Sequence, residues 1–167
     1  PSPTRTPRPT KEPSPTPTPQ TGTKQNPLPM GDVGVFEIQY YGESLKVQLQ
    51  VSEVLRGDQA QTLIKSLDGS CYTQDGQEEC IAVHVLLDYL DGSSEEPENF
   101  GALDFGMMTE GGTFLMSSRL GSAFQAIDFS GRGYPPLHVE GWRWCQIRLG
   151  SDPPMLVFWP GLILAVE

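Results

Sequence analysis

Alternation of apolar and polar residues is the strongest pattern in the chain, and it predicts a protein built mainly from β-strands. Residues 44–52 alternate between aliphatic and polar side chains. A period of two with one polar face is typical of an antiparallel strand that has one face towards solvent. Residues 81–90 also alternate, but Ala82, Leu86 and Leu90 add apolar side chains to the second face. We therefore predict that this second segment is a central strand with both faces covered.

Shorter apolar stretches, separated by glycine and proline, predict the remaining strands. The glycine pair Gly111–Gly112 predicts a tight turn that joins residues 102–108 and 113–116 into a hairpin. The other predicted strands cover residues 33–41, 137–149, 155–159 and 162–166, which brings the total to about eight.

One segment has the period of a helix instead. Asp58 is positioned to cap its first turn, with Gln61 as the partner of a capping box, and Gly57 joins it to the preceding strand. Gly69 stands where a left-handed carboxyl-terminal cap is expected. About eight strands with one short helix after the second strand predict an all-β fold, an antiparallel β-sandwich. The apolar residues of the helix share one face and are Ala60, Leu63, Ile64 and Leu67.

The amino-terminal part of the chain differs from the rest in composition. Residues 1–30 contain ten of the 16 prolines and carry a formal charge of +3, whereas residues 31–167 carry −13. Proline fixes φ and removes a backbone donor, so such a segment favours extended, polyproline-II-like conformations. We predict a disordered Pro/Thr-rich linker over residues 1–30 and a domain over residues 31–167. Ser/Thr-Pro tracts of this kind are typical of extracellular stalks.

Charge and hydropathy exclude two classes of function. An acidic domain is a poor nucleic-acid binder, because phosphate neutralisation needs clustered lysine and arginine. No apolar run reaches the roughly 18 residues that a transmembrane helix needs. The chain starts at Pro1 without a methionine, so a signal peptide or a lipid anchor upstream of Pro1 is expected.

Three stretches of the domain, taken together, resemble a known bacterial family. They are VSEVLRGDQAQTLIK at 51–65, ECIAVHVLLDYLDG at 79–92 and HVEGWRWCQIRLGSDPPMLVFWPGLILAVE at 138–167. A strand, an amphipathic helix, a long central strand and a carboxyl-terminal hairpin in this order resemble the immunoglobulin-like, telokin-like domain of bacterial secreted proteins and lipoproteins, a family of unknown function. The resemblance implies an immunoglobulin-like β-sandwich, an extracellular or surface-tethered location and no established catalytic residues. Cys145 departs from the family, which commonly has an aromatic residue there.

The three cysteines differ in their surroundings. Cys71 and Cys80 flank a short polar segment, which in an oxidising compartment predicts a disulfide, with two free thiols as the alternative. A single pair without a second pair does not favour a zinc site. Cys145 shares a strand face with Ile147 and Leu149, so we predict a free, buried thiol rather than a nucleophile.

Aromatic residues and histidines supply the candidate functional residues. Trp142, Trp144 and Tyr134 form a possible ligand surface for a sugar or a peptide, although sandwich domains also bury tryptophan routinely. His84 and His138 are the only histidines; the first is expected to be a hydrogen-bonded structural residue. A hydrolase would need one of them beside a serine or an acid. Neither a nucleophile elbow, a zinc-protease motif nor a phosphate-binding loop is present in the sequence, so no enzyme is predicted.

Acidic residues cluster at 88–99, where we predict a solvated loop, with a calcium site as the alternative. These features predict a non-catalytic, exported or surface-tethered module for binding or scaffolding at the cell envelope. Its expected partner is an envelope or extracellular protein or a glycan, and no cofactor or metal ion is expected. The alternatives are a carbohydrate-binding module with exposed tryptophans, a hydrolase with a pocket around His84 or His138, and a spacer with no specific surface.

Overall fold

A computed structural model describes residues 21–40, 42–73, 76–92, 105–109, 120–126, 137–152, 154–158 and 162–165. Within them the chain forms eight strands and one helix. This confirms the prediction of an all-β protein with one short helix after its second strand. The strands are β1 (Gly34–Tyr40), β2 (Glu43–Arg56), β3 (Glu78–Gly92), β4 (Phe105–Met108), β5 (Leu120–Ala126), β6 (Leu137–Arg148), β7 (Met155–Phe158) and β8 (Leu162–Leu164), and helix α1 (Gly57–Ser66) lies between β2 and β3.

The strands form two antiparallel sheets. The five-stranded sheet has the order β1-β2-β3-β6-β5, and the three-stranded sheet has the order β4-β7-β8. β3 lies in the middle of the larger sheet, as the sequence predicts, and its neighbours are β2 and β6. Its inner face is buried throughout from Ile81 to Tyr89, whereas its outer face is buried only at Cys80 and Ala82. The prediction that both faces are covered therefore holds for the first part of the strand alone.

One hydrophobic core joins the two sheets. The alternating residues of β2 that were expected to face inward are all at most 1% exposed, from Leu45 to Val51. Removing this apolar surface from water is the main favourable contribution to folding. The second sheet contributes four fully buried side chains to the same core, which are Met107, Leu156, Phe158 and Leu164.

Two β-bulges interrupt the pairing of β2 with β3. The register shifts after Lys46 and again after Val51. The first shift leaves Leu90 of β3 without a partner in β2, and the second leaves Ser52 of β2 without a partner in β3. Because each strand carries one extra residue, the two shifts cancel. Ser52 and Glu53 are both exposed on the outer face, and the inward pattern resumes with the next residue.

One predicted hairpin is described only in part, and one observed strand is not predicted. β4 pairs with β7, while residues 113–116, its expected hairpin partner, lie outside the described residues. β5 is not predicted, because LGSAFQA mixes small residues with two large apolar ones and has no clear alternation. Pairing with β6 defines this strand.

The chain joins the domain earlier than the predicted boundary at residue 31. Leu28 is 4% exposed and belongs to the core. It pairs in parallel with Leu164, and its backbone N–H donates to the carbonyl oxygen of Ile163 at 2.9 Å. The carbonyl oxygen of Gly22 accepts a further hydrogen bond from Ile163. The predicted linker of residues 1–30 is therefore wrong at its carboxyl-terminal end, because backbone pairing with β8 brings this segment into the fold. Residues 1–20 lie outside the described residues.

The amino-terminal cap of α1 is not the predicted one. Arg56 is the N-cap residue and makes no side-chain capping hydrogen bond. Asp58 lies in the first turn instead, where its negative charge is favourable beside the positive end of the helix dipole. Gly57 joins strand to helix as expected, with φ +55°, a conformation that residues with a Cβ rarely adopt.

The carboxyl-terminal end of α1 also differs by one residue. The left-handed residue is Asp68, with φ +55°, rather than Gly69. Glycine is needed at 69 for a different reason. A Cβ added there would lie 2.6 Å from Cζ2 of Trp144 and 3.0 Å from Cγ2 of Ile64. The absence of a side chain lets the backbone pass close to the tryptophan ring.

Candidate functional site

The outer face of the five-stranded sheet is divided into two halves. The covered half lies beneath α1 and the segment that follows it, and contains Cys80, Ala82 and Trp144. The open half lies further along the same strands, and its side chains are mostly polar and only partly buried. The residues of the open half are Gln48, Gln50, Ser52, His84, Leu86, Asp88, His138, Glu140 and, at its border with the covered half, Trp142.

Trp144 belongs to the covered half and cannot form a ligand surface. Its side chain is 4% exposed and packs in a cluster with Ala60 and Ile64 of the helix. Its indole Nε1 donates to the carbonyl oxygen of Ser70 at 3.1 Å, so the polar atom is also satisfied. The sequence left Trp144 either on a ligand surface or in the core, and the structure puts it in the core, because the helix covers it.

Trp142 is the remaining described member of the predicted aromatic surface, since Tyr134 lies outside the described residues. It is half-buried and packs against the cluster beneath α1. It also contacts His84, with ring centroids 4.8 Å apart and a tilt of 42°. Two neighbours thus fix the orientation of this indole ring at the border of the open half.

His84 lies in the middle of β3, on the outer face, as predicted. Its Nδ1 is 2.7 Å from the hydroxyl oxygen of Ser52, the extra residue of the bulge in β2. Burial lowers the pKa of His84, an effect that the carboxylates of Glu140 and Glu53 oppose. A bulge is a common means of turning a side chain towards a site.

A second polar row crosses β2, β3 and β6 at Asp88, four residues further along β3 than His84. Gln48 Nε2 donates to Asp88 Oδ2 at 3.0 Å, and His138 Nδ1 lies 2.6 Å from Asp88 Oδ1. His138 Nε2 is 3.7 Å from Glu140 Oε2. The side chains of Asp88, His138 and Glu140 remain 33%, 34% and 30% exposed, respectively. This row is therefore both ordered by hydrogen bonds and accessible from solvent.

The two rows place the components of a hydrolytic triad in separate pairs. Ser52 contacts His84, whereas the carboxylate of Asp88 contacts His138. A triad needs one histidine that contacts the nucleophile through one nitrogen and the carboxylate through the other. The arrangement offers hydrogen-bond donors and acceptors to a ligand. Within the described residues, no group of three or more His, Cys, Asp or Glu side chains is arranged to hold a metal ion.

The first residues of the predicted acidic loop at 88–99 belong to a strand. Asp88 and Asp91 lie in β3, which extends to Gly92, and so they are strand residues. Asp91 Oδ1 accepts a hydrogen bond from the backbone N–H of Gly92 at 2.9 Å. Residues 93–99, which carry the other acidic side chains, lie outside the described residues.

The predicted disulfide between Cys71 and Cys80 is confirmed, with Cα atoms 6.3 Å apart. It ties the segment after α1 to the start of β3, next to the covered half. Cys145 is free and fully buried in the main core, as predicted. Burial raises the pKa of its thiol to about 12, which leaves it protonated and unreactive.

The described part of the chain contains no helix that is long and apolar enough to cross a membrane. No protein-family model, curated protein or solved structure matches the chain. The role of the open half therefore has to be inferred from its own residues.

Proposed function

We propose that the chain is a non-catalytic, exported module with an immunoglobulin-like fold, which serves binding or scaffolding at the cell envelope. The strand order supports the fold. A constant-type immunoglobulin domain has strands A, B, E and D in one sheet and C, F and G in the other. If β2 to β8 are taken as A to G, the observed orders β2-β3-β6-β5 and β4-β7-β8 are the same. β1 is then an additional edge strand beside A.

The likeness to antibody domains is limited to this order. Their sheets are joined by a disulfide between strands B and F. β7, the counterpart of F, has the sequence MLVF and contains no cysteine. The disulfide here lies in the connection between the counterparts of A and B, where it fixes the segment that covers Trp144.

The disulfide is the observation that carries the proposed location. Disulfides persist in oxidising compartments and are rare in the cytosol of mesophiles. A Pro/Thr-rich amino-terminal segment, typical of stalks, agrees with a domain that is held away from a surface. Together they support an extracellular or surface-tethered location.

The open half supports binding rather than catalysis. Ser52 contacts His84, whereas the carboxylate of Asp88 contacts His138, so neither pair forms a complete triad. Polar side chains that are already held by hydrogen bonds lose little conformational entropy when a ligand binds. A carbohydrate-binding module is the second candidate, with Trp142 and these polar rows in place of the surface expected from Trp142, Trp144 and Tyr134.

One experiment on the source organism tests the proposal by measuring both the location of the protein and the redox state of its cysteines. Intact cells are treated with an added protease, and the protein is then alkylated under denaturing conditions with and without reduction. We expect degradation by the protease in intact cells, one alkylated cysteine before reduction and three after it. A protease-resistant protein with three alkylated cysteines before reduction would show a reduced, intracellular protein and would refute the proposal.

A further inference from the structure

The open half of the outer face is an unpartnered surface within the described structure, although the covered half beside it is fully packed. We propose that it binds a cationic glycan, a chain of amino sugars that carry free ammonium groups. This inference rests on the proposed function as a binding module and adds the chemical class of its ligand.

Charge complementarity selects a cationic ligand. Glu53, Asp88 and Glu140 place three carboxylates on or beside the open half, and the whole chain has a formal charge of −10. A surface of one sign concentrates ligands of the opposite sign and repels those of its own sign. Uronic acids, sulfated sugars and phosphate-containing polymers would therefore be disfavoured. An ammonium group finds acceptors at Glu53 and Glu140, whereas both oxygens of Asp88 already have partners in Gln48 and His138.

Trp142 supplies the second element of recognition. An ammonium group over an indole face is stabilised by the quadrupole of the ring, and the apolar face of a sugar can pack on the same ring. The ring contacts His84 and the cluster beneath α1 but is only half-buried, so part of it is open to a ligand. Its orientation therefore costs little entropy when the ligand binds.

The position of the surface within the sheet favours a glycan over a basic peptide. Peptides that bind to sheets usually add a strand at an exposed edge, where backbone groups are free to pair. β2, β3 and β6 are interior strands, each paired on both sides, so they offer a peptide no free backbone ladder. Their side chains do form rows across the strands, as in Gln48, Asp88 and His138. Strands lie about 4.8 Å apart, a spacing close to the repeat of a pyranose chain.

The test measures the affinity of the full chain for three soluble probes by calorimetry, in mildly acidic buffer of low ionic strength. The probes are hexamers of β-1,4-linked glucosamine, of β-1,4-linked N-acetylglucosamine and of lysine. The two sugars have the same backbone and differ in charge, whereas the lysine hexamer has the charge without the sugar. We expect the glucosamine hexamer to bind at least tenfold more tightly than either control and to weaken as salt is added.

Three variants test whether the glucosamine hexamer binds to the open half. Trp142→Ala should weaken binding of the glucosamine hexamer by about tenfold or more, as for an aromatic anchor. Glu140→Gln should weaken it several-fold while keeping nearly the same shape. Asp152→Asn removes an exposed carboxylate from a different surface and should leave the affinity unchanged. Near-ultraviolet circular dichroism checks that each variant is folded. If Trp142→Ala does not fold, the affinity of Glu140→Gln decides whether the ligand binds to the open half.

Each other outcome overturns the inference in a distinct way. Equal binding of the acetylated sugar would remove the role of charge, and preferential binding of the lysine hexamer would identify a basic peptide as the ligand. Binding that none of the face variants changes would place the site elsewhere. If no probe binds while the chain is found outside the cell with its disulfide formed, the glycan inference fails and the proposed function stands.

Discussion

Two halves of one sheet face, built from the same strands, have opposite properties in this protein. In the covered half, Trp144 is 4% exposed and its indole N–H is satisfied by a backbone carbonyl. In the open half, Asp88 and His138 keep a third of their side chains exposed and bond to one another. Trp142 and Trp144 are two residues apart on one strand and share a face, yet only the second is part of the core. Strand alternation decides the face, and the element above it decides whether that face is core or surface.

Replacing the two tryptophans should give the largest contrast between the halves. Trp144→Ala removes a fully packed indole beneath the helix and should lower the free energy of unfolding by about 3–5 kcal/mol. Trp142→Ala, at the border, should cost about 1–2 kcal/mol. Urea unfolding of both variants provides the comparison. Similar losses for the two would mean that α1 does not divide the face as described.

A variant of Leu28 tests whether the segment before residue 31, the predicted domain boundary, is part of the hydrophobic core. Leu28→Ala creates a cavity in the main core and should lower the free energy of unfolding by about 2–5 kcal/mol. Leu149→Ala is the matched control, because Leu149 is 61% exposed and should change stability by about 0.5 kcal/mol or less. If Leu28→Ala were as mild as its control, the domain would begin where the composition of the chain suggests, near residue 31.

The disulfide holds the cover in place, and its removal should loosen that half selectively. Cys71→Ser with Cys80→Ser should lower the free energy of unfolding by about 2.7 kcal/mol, from the entropy of an open ten-residue loop. Hydrogen exchange should also increase at α1 and at the start of β3 more than at the open half. A uniform increase over the sheet would show that the covered half has no separate anchor.

The pH dependence of His84 should give the smallest effect, and it comes from the open half. Burial lowers the pKa of this histidine in the folded state, so the unfolded chain takes up its proton first as the solution becomes acidic. Stability is unaffected well above about pH 6.5 and falls as the pH drops through that value. His84→Gln should remove this part of the loss. Urea unfolding at about pH 8 and about pH 5 measures it, and equal losses in both proteins would contradict the assignment.

The sequence predicts most of the sheet and little of the site. Alternation in β2 and β3 identifies the inner faces correctly, because burial on one side imposes a strict period of two. The same pattern puts Gln48 and Ser52 on an outer face. It cannot say that Asp88 lies opposite Gln48 or that His84 lies beside Ser52, since pairing between distant strands leaves no local signal. The burial of Trp144 depends on where α1 lies, and the docking of Leu28 depends on backbone groups of β8.

The bulge in β2 is an irregular feature that does have a local signal in the sequence. Two polar residues, Ser52 and Glu53, stand between inward-facing valines where a regular strand would have one. That interruption is the bulge, read directly from the sequence, and it places the hydroxyl of Ser52 beside His84.

Because of the bulge, β2 can become one residue shorter without changing its register with β3. Deleting a residue from a strand that has no bulge would turn every residue on one side of the deletion to the opposite face. Deleting Ser52 would leave Val51 opposite Val85 and Glu53 opposite His84, as they are now. The codon for Ser52 can therefore be lost in evolution without exchanging core and surface. The hydroxyl beside His84 would change, while the hydrophobic core behind it would remain intact.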